Sequence, residues 1–374
     1  MRWAASGSFK HKLLAVELAE RALADAPQSP RLHLLFASAL TGVGRSDEAR
    51  LALESAWLRF PGDPAVGAAL GELLLDLGDG AAVSRLVDAA GEQPWAARLA
   101  LRLAARGYAP SQRGFEQAVA RFEPADPMLF DLQAHRLRSD PAALVRLCDD
   151  RLAIKGFDAG AVYLKVVALA MLGASDQAAA LLGIERFVKA GPDPESSELL
   201  AALSAEIQAN PTLHADPAGY AQRNGLRTRL FPAQGDEATP KLQARLRELV
   251  SAYAGELEGE HPFVQARPER ALMTAWALIF RTAGHQVHHV HPGGWLTGVF
   301  YVAAPRGEAG PGGLLVGGLP DWAGVAAPWP TLLFPPEPGS CVLFPAYMPH
   351  ETCPTGSEEV RISVAFDVTR ADDA

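Results

Sequence analysis

Apolar residues recur three and four positions apart through most of the first two hundred residues, a spacing that predicts amphipathic helices. Ala and Leu dominate this stretch, and Gly and Pro interrupt it at intervals that suit turns between helices. The pattern therefore predicts an array of helical hairpins.

The helical stretch repeats itself. Pro30 and Pro64 lie 34 residues apart, and small residues follow at matching offsets, such as Ala37 after the first and Gly71 after the second. Small residues at such positions let two antiparallel helices pack closely. This spacing resembles the tetratricopeptide repeat (TPR) over roughly residues 8–205, which implies a solenoid with a concave face. An irregular helical bundle is the alternative.

The pattern changes in the second half of the chain. Residues 210–235 contain Pro, Gly, Asn and several Arg with weak periodicity, and we expect a linker and a first strand there. One amphipathic helix follows, with Leu242 and Leu246 on one face. From Leu272 onward, short runs of β-branched and aromatic residues are bounded by Gly and Pro, which predicts a sandwich or barrel.

Composition narrows the possible functions. A chain of 374 residues suggests two or three domains, and 49% hydrophobic residues suffice for a sizeable core. The formal net charge of −9 is unfavourable for general binding to nucleic acid or to an anionic membrane. Three cysteines imply no disulfide framework, and no segment has the pattern of a signal peptide or a transmembrane helix. We therefore expect a soluble cytoplasmic protein.

Four of the ten histidines lie within seven residues, just before a predicted strand; they are His285, His288, His289 and His291. In an extended segment, residues two apart share a face, so His289 and His291 point the same way and His288 points to the other face. Two imidazoles on one rigid element are the simplest beginning of a metal site.

Further candidate residues lie late in the chain. His350 follows a predicted strand and offers a third imidazole. Arg361 and Ser363 share a face of the last predicted strand, and this pair suits a carboxylate, which Arg binds through two parallel hydrogen bonds. The sequence thus predicts a metal site together with an anion site.

Three blocks of the second half resemble a known family; they are HHVHPGGWLTGVFYV, GGLLVGG and PGSCVLFPAYMPHETCPTGSEEVRISVAFDV. They resemble the double-stranded β-helix, a jelly-roll barrel, of Fe(II)/2-oxoglutarate-dependent oxygenases over roughly residues 208–370. The chain looks most like bacterial, prolyl-hydroxylase-like oxygenases that carry TPR repeats in front of the catalytic barrel. The resemblance implies Fe(II) as the metal, with 2-oxoglutarate and O₂ as co-substrates.

The resemblance also implies roles for single residues. His289 matches the first iron ligand and His350 the distal one. Arg361 matches the residue that holds the distal carboxylate of 2-oxoglutarate, with Ser363 assisting. Tyr301 is a further candidate for the co-substrate pocket and is equally suited to be a core residue.

One position departs from the family pattern. The usual third ligand is an Asp or Glu two residues after the first His, and here that position is His291. Three interpretations are open. Three histidines hold the iron, or another carboxylate such as Asp321 or Glu351 completes the site, or the barrel binds metal poorly and is catalytically idle.

The sequence therefore predicts an α+β multidomain protein, with a TPR-like helical domain at residues 1–207 and an oxygenase-like double-stranded β-helix at residues 208–374. The expected function is an Fe(II)/2-oxoglutarate-dependent dioxygenase, a hydroxylase, acting on a peptide or protein that the helical repeats recruit. The alternative is a non-catalytic TPR scaffold whose barrel is degenerate or structural. Neither nucleic acid nor membrane is an expected partner.

Overall fold

The structure is a computed structural model that describes most of the chain. The described residues are 2–3, 9–43, 45–91, 93–105, 130, 133–134, 137–192, 197–215, 221–229, 231–233, 235–305 and 311–371. By its contacts the chain divides into two compact units. The helical unit spans residues 7–136 and 217–220, and the sheet unit spans residues 1–6, 137–216 and 221–374.

The helical unit contains six helices whose ends are described; they are α1 (Phe9–Asp25), α2 (Pro30–Gly42), α3 (Ser46–Arg59), α4 (Pro64–Asp76), α5 (Gly80–Ala90) and α6 (Pro94–Ala105). Proline opens α2, α4 and α6, where the first helical residue needs no N–H partner. Asp63 and Asp79 cap α4 and α5 by accepting hydrogen bonds from backbone N–H groups. Consecutive helices pack on one another, and α4 also contacts α2 and α6.

Glycine allows the close approach of α4 to α6. A Cβ on Gly71 would overlap the side chain of Leu99, and a Cβ on Gly67 would overlap the ring of Trp95. Gly71 is one of the small residues whose spacing predicts helix contacts. The contact of α4 with both α2 and α6 is typical of stacked helical repeats.

The sheet unit also contains helices; they are α7 (Pro141–Lys155), α8 (Ala159–Met171), α9 (Ser175–Leu182), α10 (Ile184–Phe187), α11 (Ser197–Gln208), α12 (Ala238–Gly255) and α13 (Pro262–Gln265). Their apolar faces and those of the strands form one continuous core. For example, Val166 of α8, Leu203 of α11 and Leu246 of α12 are buried in the same cluster as Phe300 and Phe366 of the sheet.

The strands of the sheet unit are β1 (Arg2–Trp3), β2 (Lys189–Pro192), β3 (Leu213–Ala215), β4 (Gln222–Thr228), β5 (Arg270–Gln286), β6 (Leu296–Ala303), β7 (Leu314–Val316), β8 (Leu332–Phe334), β9 (Ser340–Pro345), β10 (His350–Thr352) and β11 (Arg361–Arg370). The larger sheet has the order β2-β9-β6-β11-β5-β4-β3, with β1 beside β5. The smaller sheet has the order β10-β7-β8.

The chain crosses repeatedly between these two sheets. β5, β6, β9 and β11 lie in the larger sheet, whereas β7, β8 and β10 lie in the smaller one. The segment after β5 joins the edge of the smaller sheet, because His289 forms an antiparallel bridge with His350 of β10. This strand order is that of a jelly roll. The predicted fold class, helical repeats followed by a double-stranded β-helix, is confirmed.

The predicted domain boundary between residues 207 and 208 stays a prediction. By contacts, residues 137–216 group with the sheet, because helices α8 to α11 bury their apolar faces in the core of the sheet unit. The change of sequence pattern near residue 210 coincides with the start of β3. Among the described residues, no helix is both long and apolar enough to cross a membrane.

Candidate metal centre

Three of the predicted site residues meet at one point. His289, His291 and His350 each offer a ring nitrogen, and these three nitrogens lie within 4.8 Å of one another. His350 is buried, and His289 and His291 are partly buried. Three imidazoles at this separation can bind a single transition-metal ion. We call these three residues the histidine cluster.

Backbone pairing fixes the position of the histidine cluster. The N–H of His289 donates to the carbonyl of His350 over 3.0 Å, and the N–H of His350 donates back to His289 over the same distance. The N–H of His291 donates to the carbonyl of Ala346 over 2.9 Å. The chain then turns at Pro292 and Gly293 and is anchored by Trp295, whose indole donates to the carbonyl of Phe263. The segment that carries His289 and His291 is thus held by hydrogen bonds along its length and at the residues that follow it.

Hydrogen bonds also set which nitrogen faces the centre. The Nδ1 of His289 lies 2.8 Å from the carbonyl oxygen of Val287, and the Nδ1 of His350 lies 3.0 Å from that of Met348. A carbonyl oxygen only accepts, so both Nδ1 atoms carry the proton and donate it. In a neutral ring the Nε2 lone pair is then free to bind a metal.

Burial keeps these rings uncharged. Desolvation lowers the pKa of His289 from its ordinary value to about 3, and the neighbouring His291 adds to this effect. The pKa of His350 lies well below its ordinary value, first because of desolvation and then because of His289. At neutral pH both rings are therefore in the form that binds a metal.

His291 is held differently from the other two histidines. Its Nδ1 lies 2.8 Å from Oδ2 and 2.7 Å from Oδ1 of Asp367 on β11, so its acceptor is a carboxylate on another strand. The ring also stacks on Trp276 of β5, with centroids 5.9 Å apart and planes 14° apart. The guanidinium of Arg227 lies over Trp276, 4.4 Å from the ring centroid. Three residues thus fix the direction of one candidate ligand.

A second group of predicted residues surrounds Arg361. This side chain is 1% exposed, and its Nη1 donates to the Oγ of Ser363 over 3.3 Å. Its guanidinium carbon lies 5.2 Å from the ring centroid of Tyr301 and 5.6 Å from that of Phe280. A Cβ on Gly312 would press on Arg361, and Gly312 has a positive φ of +72°. We call Arg361, Ser363, Tyr301 and Phe280 the arginine cradle.

The arginine cradle contains polar atoms without partners. Among the described residues, the Nε of Arg361 and the hydroxyl of Tyr301 are buried without a hydrogen bond. Arg361 also forms no ion pair with any described residue. Burial raises the pKa of Tyr301, so its hydroxyl keeps its proton. Buried donors of this kind suit a carboxylate that enters from outside the chain.

The remaining candidates lie outside the histidine cluster. His285 is on β5 and its Nδ1 lies 2.8 Å from the carbonyl of Ala283. His288 points to the other face, as expected, and its Nε2 lies 3.1 Å from the hydroxyl of Tyr163. Among the described residues, the group that could hold a metal ion is the histidine cluster, which contains neither Asp321 nor Glu351.

A cavity of about 950 Å³ lies beside the histidine cluster. His289 forms part of its wall, together with His288, Tyr163 and the carboxylate residues Asp321 and Glu351. The two residues considered as alternative ligands thus face this space and are not part of the cluster. A cavity of this size and position can admit a small molecule or a peptide side chain to the centre.

Two residues of this region were not anticipated from the sequence. Asp367 shares a face of β11 with Arg361 and Ser363, because residues two apart on a strand point the same way. This alternation along the strand predicts the direction of the Asp367 side chain, although nothing in the sequence indicates that Asp367 contacts His291. Tyr163 lies on α8 in the half predicted to be repeats, and no local pattern connects it to His288.

Two family models match the chain. Residues 274–367 match the family described as "Putative 2OG-Fe(II) oxygenase", and residues 14–73 match a tetratricopeptide repeat model. The first range contains the whole histidine cluster, Asp367 and the arginine cradle. The second contains the first repeat unit that the spacing of Pro30 and Pro64 predicts and the beginning of the next unit. A search of curated proteins found no match.

Several solved structures are similar at low identity. A prolyl-4-hydroxylase from Pseudomonas putida is 18% identical and covers 53% of this chain and 98% of its own, with a TM-score of 0.37. A prolyl hydroxylase from Trichoplax adhaerens, in complex with a hypoxia inducible factor peptide fragment, is 12% identical and covers 55% and 94%, with a TM-score of 0.39. HygX from Streptomyces hygroscopicus, with nickel, 2-oxoglutarate and hygromycin B bound, is 12% identical and covers 51% and 86%, with a TM-score of 0.36.

The similarity of the sheet unit to oxygenases is carried by the family model and by the strand order, since every one of these TM-scores is below 0.5. The predicted family, enzyme class and cofactors, Fe(II) and 2-oxoglutarate, are confirmed at the level of the domain. Residues 14–73 are thus similar to tetratricopeptide repeats, and residues 274–367 are similar to the 2OG-Fe(II) oxygenase family.

Proposed function

We propose that the sheet unit is an active Fe(II)/2-oxoglutarate-dependent dioxygenase, a hydroxylase, whose iron is held by His289, His291 and His350. The observation that carries this proposal is the geometry of the histidine cluster, in which three ring nitrogens lie within 4.8 Å of one another. Imidazole suits iron as a ligand, and the Nδ1 hydrogen bonds of His289 and His350 leave their Nε2 atoms available. A three-histidine site is favoured over one completed by Asp321 or Glu351.

The arginine cradle is proposed to hold 2-oxoglutarate. Arg361 would bind the distal carboxylate, with the hydroxyls of Ser363 and Tyr301 as further partners. The buried Nε of Arg361 and the buried hydroxyl of Tyr301 supply the donors that such a carboxylate needs. The aromatic walls made by Phe280 and Tyr301 exclude water from this contact and strengthen it.

Iron and 2-oxoglutarate, once bound, would supply the oxidation: 2-oxoglutarate, O₂ and a substrate C–H group give succinate, CO₂ and the hydroxylated substrate. The chain's part is to hold three ligands in fixed directions, orient the co-substrate through Arg361 and line the cavity beside His289. The proposed substrate is a peptide or protein that reaches this cavity.

The substrate proposal has support from the architecture. The TPR match at residues 14–73 indicates a protein-binding role for the helical unit, and such repeats present extended surfaces to partners. A partner recruited there would raise the local concentration of its own side chains near the catalytic domain. A cytoplasmic location belongs to the same proposal.

The experiment uses the full chain purified without oxygen. Fe(II) is added and its stoichiometry measured by equilibrium dialysis, 2-oxoglutarate binding is measured by calorimetry, and succinate is measured after oxygen is admitted. We expect one Fe(II) per chain, 2-oxoglutarate binding to the iron-loaded protein and succinate above the level without protein. Iron well below one equivalent, with no succinate, would favour the non-catalytic scaffold and overturn the proposal.

A further inference from the structure

The second-sphere partner of His291 differs in charge from those of the other two histidines. His289 and His350 donate to neutral carbonyls two residues earlier in their own segments. His291 instead donates to the carboxylate of Asp367, which is 76 residues away in sequence. Within the described chain, His291 is the ion-pair partner of Asp367, and no Lys or Arg pairs with that carboxylate. Its negative charge is therefore directed at one candidate ligand.

This partner matters because of the ligand set. A centre with two histidines and one carboxylate gives its metal one anionic ligand. Three neutral imidazoles give it none, so a divalent ion would keep its full charge in a partly buried site. A carboxylate that accepts the Nδ1 proton makes the opposite nitrogen more basic and more electron-rich.

We propose that Asp367 is a positioning residue that supplies, through His291, the negative charge that a ligating carboxylate supplies in the usual two-histidine centre. This inference rests on the proposed function of the histidine cluster. It makes Asp367 and His291 one functional unit, in which the imidazole would hold the metal and the carboxylate holds the imidazole.

The residues around His291 indicate that Asp367 contributes its charge and does not only orient the ring. Trp276 already restrains the plane of the His291 ring by stacking at 14°. The side chain of Asp367 is only 21% exposed and that of His291 only 12% exposed, so solvent screens their interaction weakly. What Asp367 adds, and Trp276 cannot, is a full negative charge with both oxygens near Nδ1.

The strand β11 carries both a positive and a negative residue of the proposed site. Arg361 and Asp367 have the same parity on this strand and are six residues apart, about 20 Å along an extended chain. On this face, Arg361 suits the binding of a carboxylate, and Asp367 suits the binding of a cation through His291.

The test compares Asp367→Asn with the wild type and with Glu358→Gln as a charge-matched control, because Glu358 is an exposed carboxylate just before β11. Fe(II) affinity is measured without oxygen on the full chain, and the Fe(III)/Fe(II) midpoint potential is measured by mediated titration. We expect a 10- to 100-fold loss of Fe(II) affinity in Asp367→Asn. We also expect its potential to rise, because a negative charge favours Fe(III); a tenfold change in relative affinity corresponds to ~59 mV.

A second variant keeps the test decisive if Asp367→Asn folds poorly. His291→Asp places a carboxylate directly at the ligand position, so the negative charge no longer has to reach the metal through the imidazole. In that background, Asp367→Asn removes a like-charge repulsion from the empty protein and should change the Fe(III)/Fe(II) potential much less than it does in the wild type. An equal change of potential in both backgrounds would overturn a role that acts through His291.

The outcomes separate the two proposals. If the wild type binds one Fe(II) and Asp367→Asn has the same affinity and potential, the inference about Asp367 is wrong and the proposed function stands. If affinity falls while the potential is unchanged, Asp367 only orients the ring, and the charge role is also overturned. If the wild type binds no iron, both the proposed function and this inference fail.

Discussion

The histidine cluster and the arginine cradle lie in the same barrel and are completed in opposite ways. In the histidine cluster every Nδ1 has an acceptor within the chain, so the three rings are oriented without any ligand. In the arginine cradle the Nε of Arg361 and the hydroxyl of Tyr301 are buried without a partner among the described residues. The ring N–H donors of one region are paired within the chain, and the other region keeps buried donors that a ligand can use.

This difference has an energetic consequence. A buried donor without a partner costs about 1–3 kcal/mol, and more when it is charged. We therefore expect the arginine cradle to lower the stability of the empty protein and to recover that free energy when the proposed carboxylate binds. In the histidine cluster the three Nδ1 donors are paired on folding, so none of them is a buried donor without an acceptor. Substitutions in the two regions should accordingly change the stability of the empty protein in opposite directions.

The largest effect is expected when the histidine cluster loses a ligand. His350→Ala removes one of three nitrogens and leaves a cavity against Phe344, whose ring centroid is 4.8 Å from that of His350. We expect metal affinity to fall more than 100-fold, beyond the range for loss of an outer partner. The empty protein should lose about 1–3 kcal/mol of unfolding free energy. Dialysis with Fe(II) and denaturant titration measure the two quantities.

The control for this variant is His285→Ala, which removes a histidine that lies outside the histidine cluster on β5. It should bind Fe(II) as the wild type does. Equal losses in both variants would show that the affinity depends on general histidine content or on folding, and that the three-histidine assignment is wrong.

The sequence predicts that the three histidines of the cluster lie together, because histidine is a scarce residue type and these three have a meaningful spacing. His289 and His291 are two apart, and a third imidazole stands beside a strand at His350. Asp367 could not be identified this way, since it is one of 43 acidic residues and its partner is 76 positions away. Strand parity gives its direction, but only the pairing of β11 with β5 and β6 brings it to His291.

The fold is likewise predicted in part. The short strands and the helical repeats follow from periodicity, whereas β2 gives no signal, because all four of its residues are exposed and it pairs with β9 through the backbone. The sequence also predicts only short runs from Leu272 onward, whereas the structure begins this region with one long strand, β5, from Arg270 to Gln286. Pairing with two long neighbours keeps that strand continuous across residues with weak strand patterns.

The second prediction concerns the arginine cradle, where one substitution should weaken 2-oxoglutarate binding and raise the stability of the empty protein. Arg361→Met removes the charge and keeps an unbranched apolar side chain. We expect the iron-loaded protein to bind 2-oxoglutarate about 10- to 100-fold more weakly, because charge-assisted hydrogen bonds are lost. We expect the empty protein to become more stable by about 1 kcal/mol or more, because a buried, unpaired charge is removed.

Calorimetry with 2-oxoglutarate and denaturant unfolding of the empty protein test this pair of effects. The control is Arg281→Met, at an exposed arginine of β5 whose Nη1 donates to the carbonyl of Glu358, which should change stability by less than about 0.5 kcal/mol. If Arg361→Met destabilises the empty protein as His350→Ala does, the two regions are not completed in opposite ways, and the comparison fails.

The third prediction concerns acid, whose effect on stability is small near neutral pH and distinguishes the two regions by titration. The pKa of His289 is about 3 in the folded protein and about 6.5 when unfolded, so between these values the unfolded chain binds the extra proton. Stability is therefore fully present above pH 6.5 and is lost as the pH falls toward 3, by at most about 2 kcal/mol at pH 5. In His289→Leu this part of the pH dependence should disappear, whereas Arg361→Met should keep it, because a guanidinium does not titrate in this range. Unfolding free energies of the three proteins from pH 7 to pH 5 test this, and an equal slope in wild type and His289→Leu would show that burial of His289 does not keep its ring neutral.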